Sequence, residues 1–567
     1  MTPTNPAIVA QAAARRLPRV ALVLFCLAYL LPGFIGRDAW KSADASALGF
    51  MAELAQGTSQ WLHPTLIGMP AENPSVLPYW LGAWSLQWAP GWVAPDFAAR
   101  IPFVFLLALC MLGTWYGTYY LARSPKAQPV AFAFGGEASP KDYARAMADG
   151  GLLALIACLG LAQLSHETTP AAAQTAFTAM VFYAVSARPY RPLLGSLGCG
   201  IGLCGLSLSG APAMALLDGA GGFCIRCMDD ESAAPGPGSS LYKGLTLYAI
   251  ALTMALAGAL AYALDLWRWK IELPPGNYEH WRGFAELLLW FTWPAWPLAL
   301  WTVWRWRRQL FRRDISRHLA VPLWFVVVTL IGTLTSNASD RALMLMLPAL
   351  AALAAFALPT LRRQMASLID WFTLLFFTSC AIVVWVVWIA MLTGYPSQPA
   401  ANVARLAPGF EAGFSILPFG AALLATLVWA WLVKWRVGRH RTAIWKSLVL
   451  PAGGAALCWL LLMTLWLPLL NYAQSYTAMV QRAVDQMQPP GCVEAMGLSE
   501  GKIAALQFYG KLQMRYALDT PSCPWLIGEP GSNMSAPQAL DEKQWILLAP
   551  IRHPTDGNES VLIFRRR

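Results

Sequence analysis

The chain has 567 residues, of which 57% are hydrophobic and only 13% are charged, and its mean hydropathy is +0.46. This composition excludes an ordinary water-soluble protein and indicates a chain that lies mostly in lipid. The formal net charge of +11 comes largely from basic clusters beside apolar segments, so it does not call for nucleic acid as a partner.

Apolar segments long enough to cross the roughly 30 Å hydrocarbon layer recur along the whole chain. They predict an all-α polytopic membrane protein with about 13 transmembrane helices. The segments between residues 150 and 224 are short and interrupted by Gly and Pro, which leaves the predicted count open by about two. The predicted spans lie near residues 17–35, 101–122, 150–165, 172–187, 193–207, 209–224, 245–266, 285–305, 319–335, 342–360, 370–393, 414–434 and 446–468.

Basic residues cluster in loops that fall on one side of this arrangement. Because cytoplasmic loops retain Lys and Arg, the pattern predicts a cytoplasmic N-terminus. With an odd number of spans, the loop 36–100 and the chain after about residue 470 then lie on the outer side. The basic loops are ARRLPR near the N-terminus, RWRRQLFRRDISRH at 305–318, LRRQ at 361–364 and KWRVGRHR at 434–441.

The loop 36–100 contains a helical pattern followed by an aromatic segment. The apolar residues of SALGFMAELAQG recur at helical spacing. The later stretch VLPYWLGAWSLQWAPGW is rich in Trp and Tyr, which settle at the headgroup level of a membrane. We therefore expect interfacial helices that lie along the outer membrane surface.

The chain after residue 470 alternates short strand-like runs with a helical stretch and with turns rich in Gly, Pro and Asn. This pattern predicts a small soluble α/β domain over 470–567, beside a transmembrane domain over 1–469. Cys492 and Cys523 lie in this tail, where an oxidising compartment would allow a disulfide. Cys224 and Cys227 form a single CxxC, which without further ligands is weak evidence for a metal site.

Ionisable residues at a membrane edge are costly to bury and are therefore candidates for function. His166 and Glu167 lie in a hairpin between two short spans, where neighbouring threonines would also suit a helix cap. Arg341 follows Asp340 at another hairpin, where it suits either a bound phosphate or an anchor at the start of a helix. The other candidates on the outer side are Asp38, Lys41, Asp44, His63 and Glu72.

Fingerprints of several enzyme classes are absent from the sequence: it has no Walker loop, GxSxG elbow, HExxH motif or dinucleotide-binding motif. ATP-driven transport, serine hydrolysis and zinc proteolysis therefore lack support. Acidic residues beside an aromatic interfacial segment instead suit a lipid-attached substrate. A carboxylate there could deprotonate an acceptor, and a basic residue could hold a lipid phosphate.

The first outer loop also resembles that of a known family. The run ADASALGFMAELAQGTSQWLHPTLIGMPAENPSVLPYWLGAWSLQ, followed by FAARIPFVF, resembles the first outer loop of the GT-C membrane glycosyltransferases. It is most similar to the group of lipid A aminoarabinose transferases and protein mannosyltransferases. The resemblance continues through GCGIGLCGLSLSG, SDRALMLMLPALAALAA and LPLLNYAQSYTAMVQRAVDQMQPPGCVEAMG, so it covers nearly the whole chain.

The resemblance implies a GT-C fold and a multi-pass enzyme of the bacterial inner membrane, with its C-terminal domain in the periplasm. Such an enzyme moves a sugar from a polyprenyl-phosphate carrier to an extracytoplasmic acceptor, which is lipid A, a glycan or a protein. Asp44 takes the position of a carboxylate that activates the acceptor, and Asp38, the second candidate catalytic residue, would shape its surroundings together with Lys41. Asp44 and Glu167 would suit a divalent metal ion, because hard cations prefer oxygen ligands. The implied substrate-binding residues are Lys41, Glu72, Asn73, Tyr79, His166 and Arg341.

The sequence departs from the family pattern at several of these positions. Only Asp44 remains of an acidic pair, and Asn73 replaces the lysine that holds the lipid phosphate. Ser209 replaces another lysine, and Ala171 replaces a further acidic residue, although Glu167 lies one helical turn before it. A second hypothesis is therefore a catalytically silent homologue that binds a lipid-linked glycan or a partner transferase. A transporter is a third, but it would need charged residues at mid-membrane, and the predicted spans hold almost none.

Overall fold

The computed structural model describes residues 5–229, 239–267, 278–310, 315–335, 340–437, 443–487, 491–517, 522–530 and 544–567. Within these ranges, seven helices are long and apolar enough to cross a membrane, and Arg19–Leu30 and Pro192–Leu208 are shorter apolar helices. The remaining predicted spans coincide with helices that are too short or not apolar enough to be counted among these seven. The predicted all-α polytopic membrane fold is confirmed, together with a small C-terminal sheet.

Up to residue 263 the elements are α1 (Arg19–Leu30), α2 (Ala43–Gln56), β1 (Thr65–Leu66), β2 (Met69–Pro70), α3 (Leu77–Trp88), α4 (Pro95–Ala122), α5 (Pro140–Ala157), α6 (Leu161–Leu164), α7 (Pro170–Ala187), α8 (Pro192–Leu208), α9 (Pro212–Met228) and α10 (Ser239–Ala263). The helices from there to the end of the bundle are α11 (Tyr278–Phe291), α12 (Ala295–Leu310), α13 (Arg317–Thr335), α14 (Asp340–Leu343), α15 (Leu347–Ala357), α16 (Arg363–Thr393), α17 (Ser397–Leu406), α18 (Ile416–Val437) and α19 (Lys446–Leu465). The C-terminal part contains α20 (Leu467–Gln474), α21 (Thr477–Gln486), β3 (Cys492–Met496), α22 (Glu500–Phe508), β4 (Gln513–Tyr516), β5 (Trp525–Gly528), β6 (Trp545–Arg552) and β7 (Ser560–Arg566).

Two of the predicted spans have different bounds in the structure. The span expected at 150–165 begins ten residues earlier, because Ser139 caps the first turn of α5 by accepting a hydrogen bond from the backbone N–H of Asp142. Asp149 lies inside α5, and its carboxylate accepts hydrogen bonds from the backbone N–H of Leu17 and from the indole of Trp115. The span expected at 285–305 is divided between α11 and α12, which are separated near Pro294, a residue that has no N–H to donate to a helix.

The basic turns meet at one end of the bundle. Lys126 donates a hydrogen bond to the backbone carbonyl of Ile315, and the indole of Trp445 donates to that of Arg15. Parts of the predicted basic loops 305–318 and 434–441 lie outside the described residues. We call this end the basic face. The loop 36–100 and the C-terminal part lie together at the opposite end, where Trp40 and Ser475 form a β-bridge.

Helix α2 is buried rather than laid on a surface. Its residues from Asp44 to Leu54 are almost all buried, and it packs between α3 and α22. Gly49 lies so close to α22 that a Cβ there would stand 2.4 Å from the Cβ of Ala504. The aromatic segment behaves differently, since Trp88 and Trp92 are mostly exposed, as expected of side chains at a membrane interface.

The C-terminal part is built on a five-stranded sheet of order β4-β3-β5-β7-β6. Strand β3 pairs in parallel with β4 and β5, while β7 pairs antiparallel with β5 and β6. A disulfide joins Cys492 and Cys523 beside β3 and β5, which resolves the pairing that the sequence left open. Cys224 and Cys227 are exposed free thiols.

Candidate functional site

Asp44 lies at the centre of the charged cluster between α2, α4 and α7. It occupies the first turn of α2, where the unpaired N–H groups and the helix dipole favour a carboxylate. Its Oδ1 accepts hydrogen bonds from the backbone N–H and the hydroxyl of Thr168, both at 2.7 Å. Its Oδ2 accepts from the backbone N–H of Trp40 at 3.2 Å. Both oxygens of the buried carboxylate are therefore occupied.

Two buried arginines face the same carboxylate. Nη2 of Arg37 lies 3.6 Å from Oδ2 of Asp44, and Nη2 of Arg100 lies 3.7 Å from it. Arg37 also stacks on the indole of Trp40, with its Cζ 3.9 Å from the ring centroid. Three side-chain nitrogens of Arg37 and two of Arg100 have no hydrogen-bond acceptor. A buried donor without an acceptor costs about 1–3 kcal/mol, so these groups are suited to an anionic ligand.

Glu167 and Arg341 form the second half of the cluster. Nε and Nη2 of Arg341 donate to the two carboxylate oxygens of Glu167 at 3.0 and 3.1 Å, a bidentate arrangement. Glu167 is 2% exposed, whereas Arg341 is 31% exposed and lies on the solvent side of the pair. Glu167 immediately precedes Thr168, the residue that binds Asp44. The two carboxylates are thus neighbours in a single site.

The pKa values of the two carboxyl groups shift in opposite directions. Burial alone would raise the pKa of Asp44, but Arg100, Arg37 and the hydrogen bonds from Thr168 outweigh it and hold that pKa below its ordinary value. Burial raises the pKa of Glu167 to about 7, and the charge of Asp44 adds to the rise, although Arg341 opposes it. Asp44 is therefore a fixed anion, while Glu167 exchanges its proton near neutral pH.

Asp38 and Lys41 contact the C-terminal part instead of this cluster. Asp38 accepts hydrogen bonds from the hydroxyls of Ser475 and Thr477, each at 3.0 Å. The ammonium of Lys41 lies 3.1 Å from a carboxylate oxygen of Asp556, and it also pairs with Glu559. In this structure both residues fasten the first outer loop to the C-terminal part.

The other predicted substrate-binding residues are dispersed. Glu72 and Asn73 are exposed, and the backbone N–H of Glu72 donates to Glu500. Tyr79 is buried against Phe50, with the two ring centroids 5.0 Å apart. Of the predicted set, the structure brings Asp44, Glu167 and Arg341 together and leaves these three apart.

His166 lies beside Glu167 but faces away into the bundle. Its ring nitrogens lie 2.5 Å from the carbonyl oxygen of Ala162 and 3.1 Å from that of Tyr29. Burial lowers its pKa to about 3, so the imidazole is neutral at physiological pH. Gly33 makes room for it, because a Cβ at that position would stand 2.3 Å from the imidazole. His63 is exposed.

Arg37 and Arg100 are not among the site residues predicted from the sequence. A signal for both was present, since each is an ionisable residue directly at the edge of an apolar segment. Arg37 follows α1, and Arg100 belongs to the FAARIPFVF run that begins α4. Their importance was hidden because nothing in the sequence indicates that two positions 63 residues apart converge on one carboxylate.

Comparisons with known proteins identify the fold. No protein-family model matches the sequence, and no curated protein matches it either. Two solved structures of ArnT from Cupriavidus metallidurans do match. The apo structure gives a TM-score of 0.61 and the structure bound to undecaprenyl phosphate gives 0.58. Both are 13% identical to this chain, and each comparison covers 96% of this chain and 97% of the other. At this level of identity the similarity establishes the fold, and the chain has the GT-C fold predicted from its sequence.

Proposed function

We propose that this chain is a membrane glycosyltransferase of the bacterial inner membrane, which passes a sugar from a polyprenyl-phosphate carrier to an acceptor on the outer side. The observation that carries the proposal is the pair of buried guanidinium groups, Arg37 and Arg100, whose remaining donors lack acceptors. A phosphate offers several acceptor oxygens and the opposite charge. One ArnT structure with this fold is bound to undecaprenyl phosphate, which supports the same class of ligand here.

The charge of the cluster also favours an anion. Three guanidinium groups, those of Arg37, Arg100 and Arg341, accompany the two carboxyl groups of Asp44 and Glu167. The cluster therefore carries a net positive charge, which increases when Glu167 is protonated. Lys41 is engaged by Asp556 and Glu559, so we assign the phosphate to the arginines. They offset the loss of the lysine that Asn73 replaces.

The two carboxyl groups take different parts in the proposed reaction. The resemblance predicts that Asp44 activates the acceptor, but Arg100, Arg37 and the hydrogen bonds from Thr168 hold its pKa below the ordinary value, which makes it a weak base. We assign to Asp44 the positioning of Arg37 and Arg100. Glu167, with a pKa of about 7, is the better proton acceptor at neutral pH.

The transfer itself is a direct displacement. A hydroxyl or amine of the acceptor gives its proton to Glu167 while its oxygen or nitrogen bonds to the sugar carbon. The bond from that carbon to the phosphate oxygen breaks, and the polyprenyl phosphate leaves with the electron pair. The guanidinium groups stabilise the charge that develops on the leaving phosphate. Attack opposite the leaving group inverts the configuration at the sugar carbon.

A divalent metal ion at Asp44 and Glu167 stays a prediction. Within the described residues, no group of three or more His, Cys, Asp or Glu side chains is arranged to hold a metal ion. Both carboxylates also have guanidinium partners, which compete with a cation for the same oxygens. The arginine-rich set of side chains favours an anion over a cation.

Binding of undecaprenyl phosphate to the purified protein tests the proposal. Arg37→Gln and Arg100→Gln should each weaken binding by about tenfold or more, since a hydrogen bond to a charged group contributes about 1.5–3 kcal/mol. Arg405→Gln changes an exposed arginine of α17 and should leave binding unchanged. Equal affinity in all three variants would contradict the assignment of the phosphate site.

A transfer assay separates the enzyme from the silent homologue. The wild type is supplied with polyprenyl-phosphate sugars and with lipid A, glycan or protein acceptors. Transfer by the wild type supports the hypothesis that the chain is an enzyme. Glu167→Gln should then reduce the rate by about 10²–10⁴-fold, as expected for loss of an acid–base group. Binding of the lipid phosphate without transfer for any donor supports a protein that only binds the carrier.

A further inference from the structure

A second cluster of arginines lies at the other end of the bundle, on the basic face. Arg188 follows the last residue of α7, Arg226 lies in the last turn of α9, and Arg317 begins α13. Together with Asp229 they line a small cavity of about 20 Å³ that is partly open to solvent. Helix α7 has 18 residues and so is roughly 27 Å long at about 1.5 Å per residue, which separates this cavity from the Asp44 cluster at its other end.

The arginines of this cavity are unusually buried for charged residues on a membrane face. Arg188 is 3% exposed and Arg317 is 6% exposed. Nε and Nη1 of Arg188 and Nε of Arg226 have no hydrogen-bond acceptor, while Nη2 of Arg188 makes a long contact of 3.4 Å with the hydroxyl of Ser196. Arginines that only anchor a helix in the membrane reach into water, as the exposed Arg363 does on the same face.

The described carboxylate at this cavity does not balance the positive charge. Asp229 pairs with Arg226 at 3.5 Å and with Arg317 at 3.3 Å. Three guanidinium groups thus line the cavity with one carboxylate of the described residues, and Nε and Nη1 of Arg188 have no hydrogen-bond acceptor. Burying such charge is costly unless an opposite charge accompanies it. An anion with several acceptor oxygens is the ligand that would complete the cluster.

The rest of the lining is apolar. Val185, Ile225, Ile250 and Val321 form the walls between α7, α9, α10 and α13. A polar end on the basic face that continues into apolar walls is typical of the basic pockets between transmembrane helices in which lipid headgroups bind. The polar end alone would also accept free phosphate.

We propose that this cavity is a second anion site, which binds a phosphate group through Arg188, Arg226 and Arg317. The phosphate belongs either to the headgroup of an anionic phospholipid or to inorganic phosphate. The proposal does not depend on the transferase reaction, because the site is separated from the Asp44 cluster by the length of α7. A bound anion there would hold together the ends of α7, α9 and α13.

Thermal unfolding of the full chain in phosphatidylcholine nanodiscs tests this site. One series adds phosphatidylglycerol to the nanodiscs, and the other adds inorganic phosphate against chloride at equal ionic strength. We expect at least one of the two anions to raise the unfolding midpoint of the wild type in a saturable manner. Arg188→Gln and Arg226→Gln should each weaken the apparent affinity by about tenfold or more. The control Arg363→Gln should behave as the wild type.

The two series distinguish the sources, because stabilisation by the lipid alone indicates a headgroup and stabilisation by inorganic phosphate indicates a soluble anion. Either outcome supports the site when it depends on Arg188 and Arg226. Without an added anion, Arg188→Gln should unfold at the wild-type temperature or higher, because the substitution removes an unpaired buried charge. Stabilisation by neither anion, or equal stabilisation of all three variants, would overturn the proposal.

Discussion

At the scale of single residues, the site depends on how two neighbouring carboxyl groups are surrounded. Asp44 faces two guanidinium groups and three hydrogen-bond donors, whereas Glu167 has the single guanidinium of Arg341 and shares its surroundings with the charge of Asp44. Although both groups are buried, Asp44 therefore stays ionised, whereas the pKa of Glu167 lies near neutral pH. This division gives the site a fixed anion and an exchangeable proton.

Substitution of Asp44 tests its structural part in the cluster. Asp44→Asn removes the negative charge between Arg37 and Arg100, and breaking a buried ion pair by removing one partner costs about 3–5 kcal/mol. We expect a clearly lower unfolding temperature of the purified protein. Asp38→Asn is the matched control, because Asp38 is half-buried and accepts hydrogen bonds from two hydroxyls. Asp38→Asn should lower the free energy of unfolding by only about 1 kcal/mol. Equal losses of stability in the two variants would contradict the assignment of Asp44 as the residue that holds Arg37 and Arg100.

The pKa of Glu167 gives activity and stability opposite dependences on pH. A general base acts in its deprotonated form, so the rate of transfer should rise with pH and level off above about 7. In the folded protein Glu167 keeps its proton up to about pH 7, whereas an unfolded chain loses it near the ordinary value of 4.5. The contribution of this group to the free energy of unfolding therefore falls as pH rises through that window.

Glu167→Gln cannot ionise, so it should remove this part of the pH dependence of unfolding while it abolishes most of the transfer. Unfolding temperatures of the variant and the wild type, recorded between pH 4.5 and 7.5, measure the difference. Parallel pH profiles of the two proteins would show that Glu167 titrates outside this window.

At the scale of elements, the contact between α2 and α22 connects the first outer loop to the C-terminal part. The helices approach closely at Gly49 and Ala504, and a Cβ at Gly501 would stand 2.7 Å from the backbone oxygen of Ser42. Small residues allow this approach. Because α2 carries Asp44, the packing of α22 also fixes the position of the site.

A larger residue at Gly49 should separate these helices. Gly49→Ala would place its Cβ 2.4 Å from the Cβ of Ala504, and overpacking of this kind typically costs about 1–3 kcal/mol, which outweighs the gain of about 1 kcal/mol in helix propensity. Adding Ala504→Gly to the variant should recover part of the loss, as a double-mutant cycle of unfolding temperatures would reveal. Gly91→Ala is the control, because no atom lies within 4 Å of a Cβ at that position.

At the scale of the whole molecule, the two ends of the bundle differ in their chemistry. One end gathers the basic turns and the Arg188 cavity, and the other holds the Asp44 cluster beside the C-terminal part. Positive charge near short loops favours the cytoplasmic side. The proposed orientation therefore places the sugar-transfer site and the disulfide of Cys492 with Cys523 in the periplasm, where such a bond persists.

Fusions to a reporter test this orientation. A reporter that works only outside the cytoplasm should be active when it is fused after residue 470. A reporter that works only in the cytoplasm should be active when it is inserted at residue 310. A cytoplasmic signal from the fusion after residue 470 would contradict the proposed orientation and the odd number of spans.

The sequence by itself determined the membrane class, the order of most helices and the α/β character of the tail. These features follow from local properties, namely the length of apolar runs and the spacing of strand-like segments. The same reasoning named Asp44, Glu167 and Arg341 as candidates, because ionisable residues at a membrane edge can be read directly from the chain.

Only the tertiary structure decided which of the candidate residues lie together. Asp38 and Lys41 lie within six residues of Asp44 in the sequence, yet they contact the C-terminal part, while Arg100 reaches Asp44 from another helix. A pKa depends on burial and on neighbouring charges in space, so the contrast between Asp44 and Glu167 could not be read from the chain. The cavity at Arg188 arises in the same way, since its three arginines come from three helices that only packing brings together.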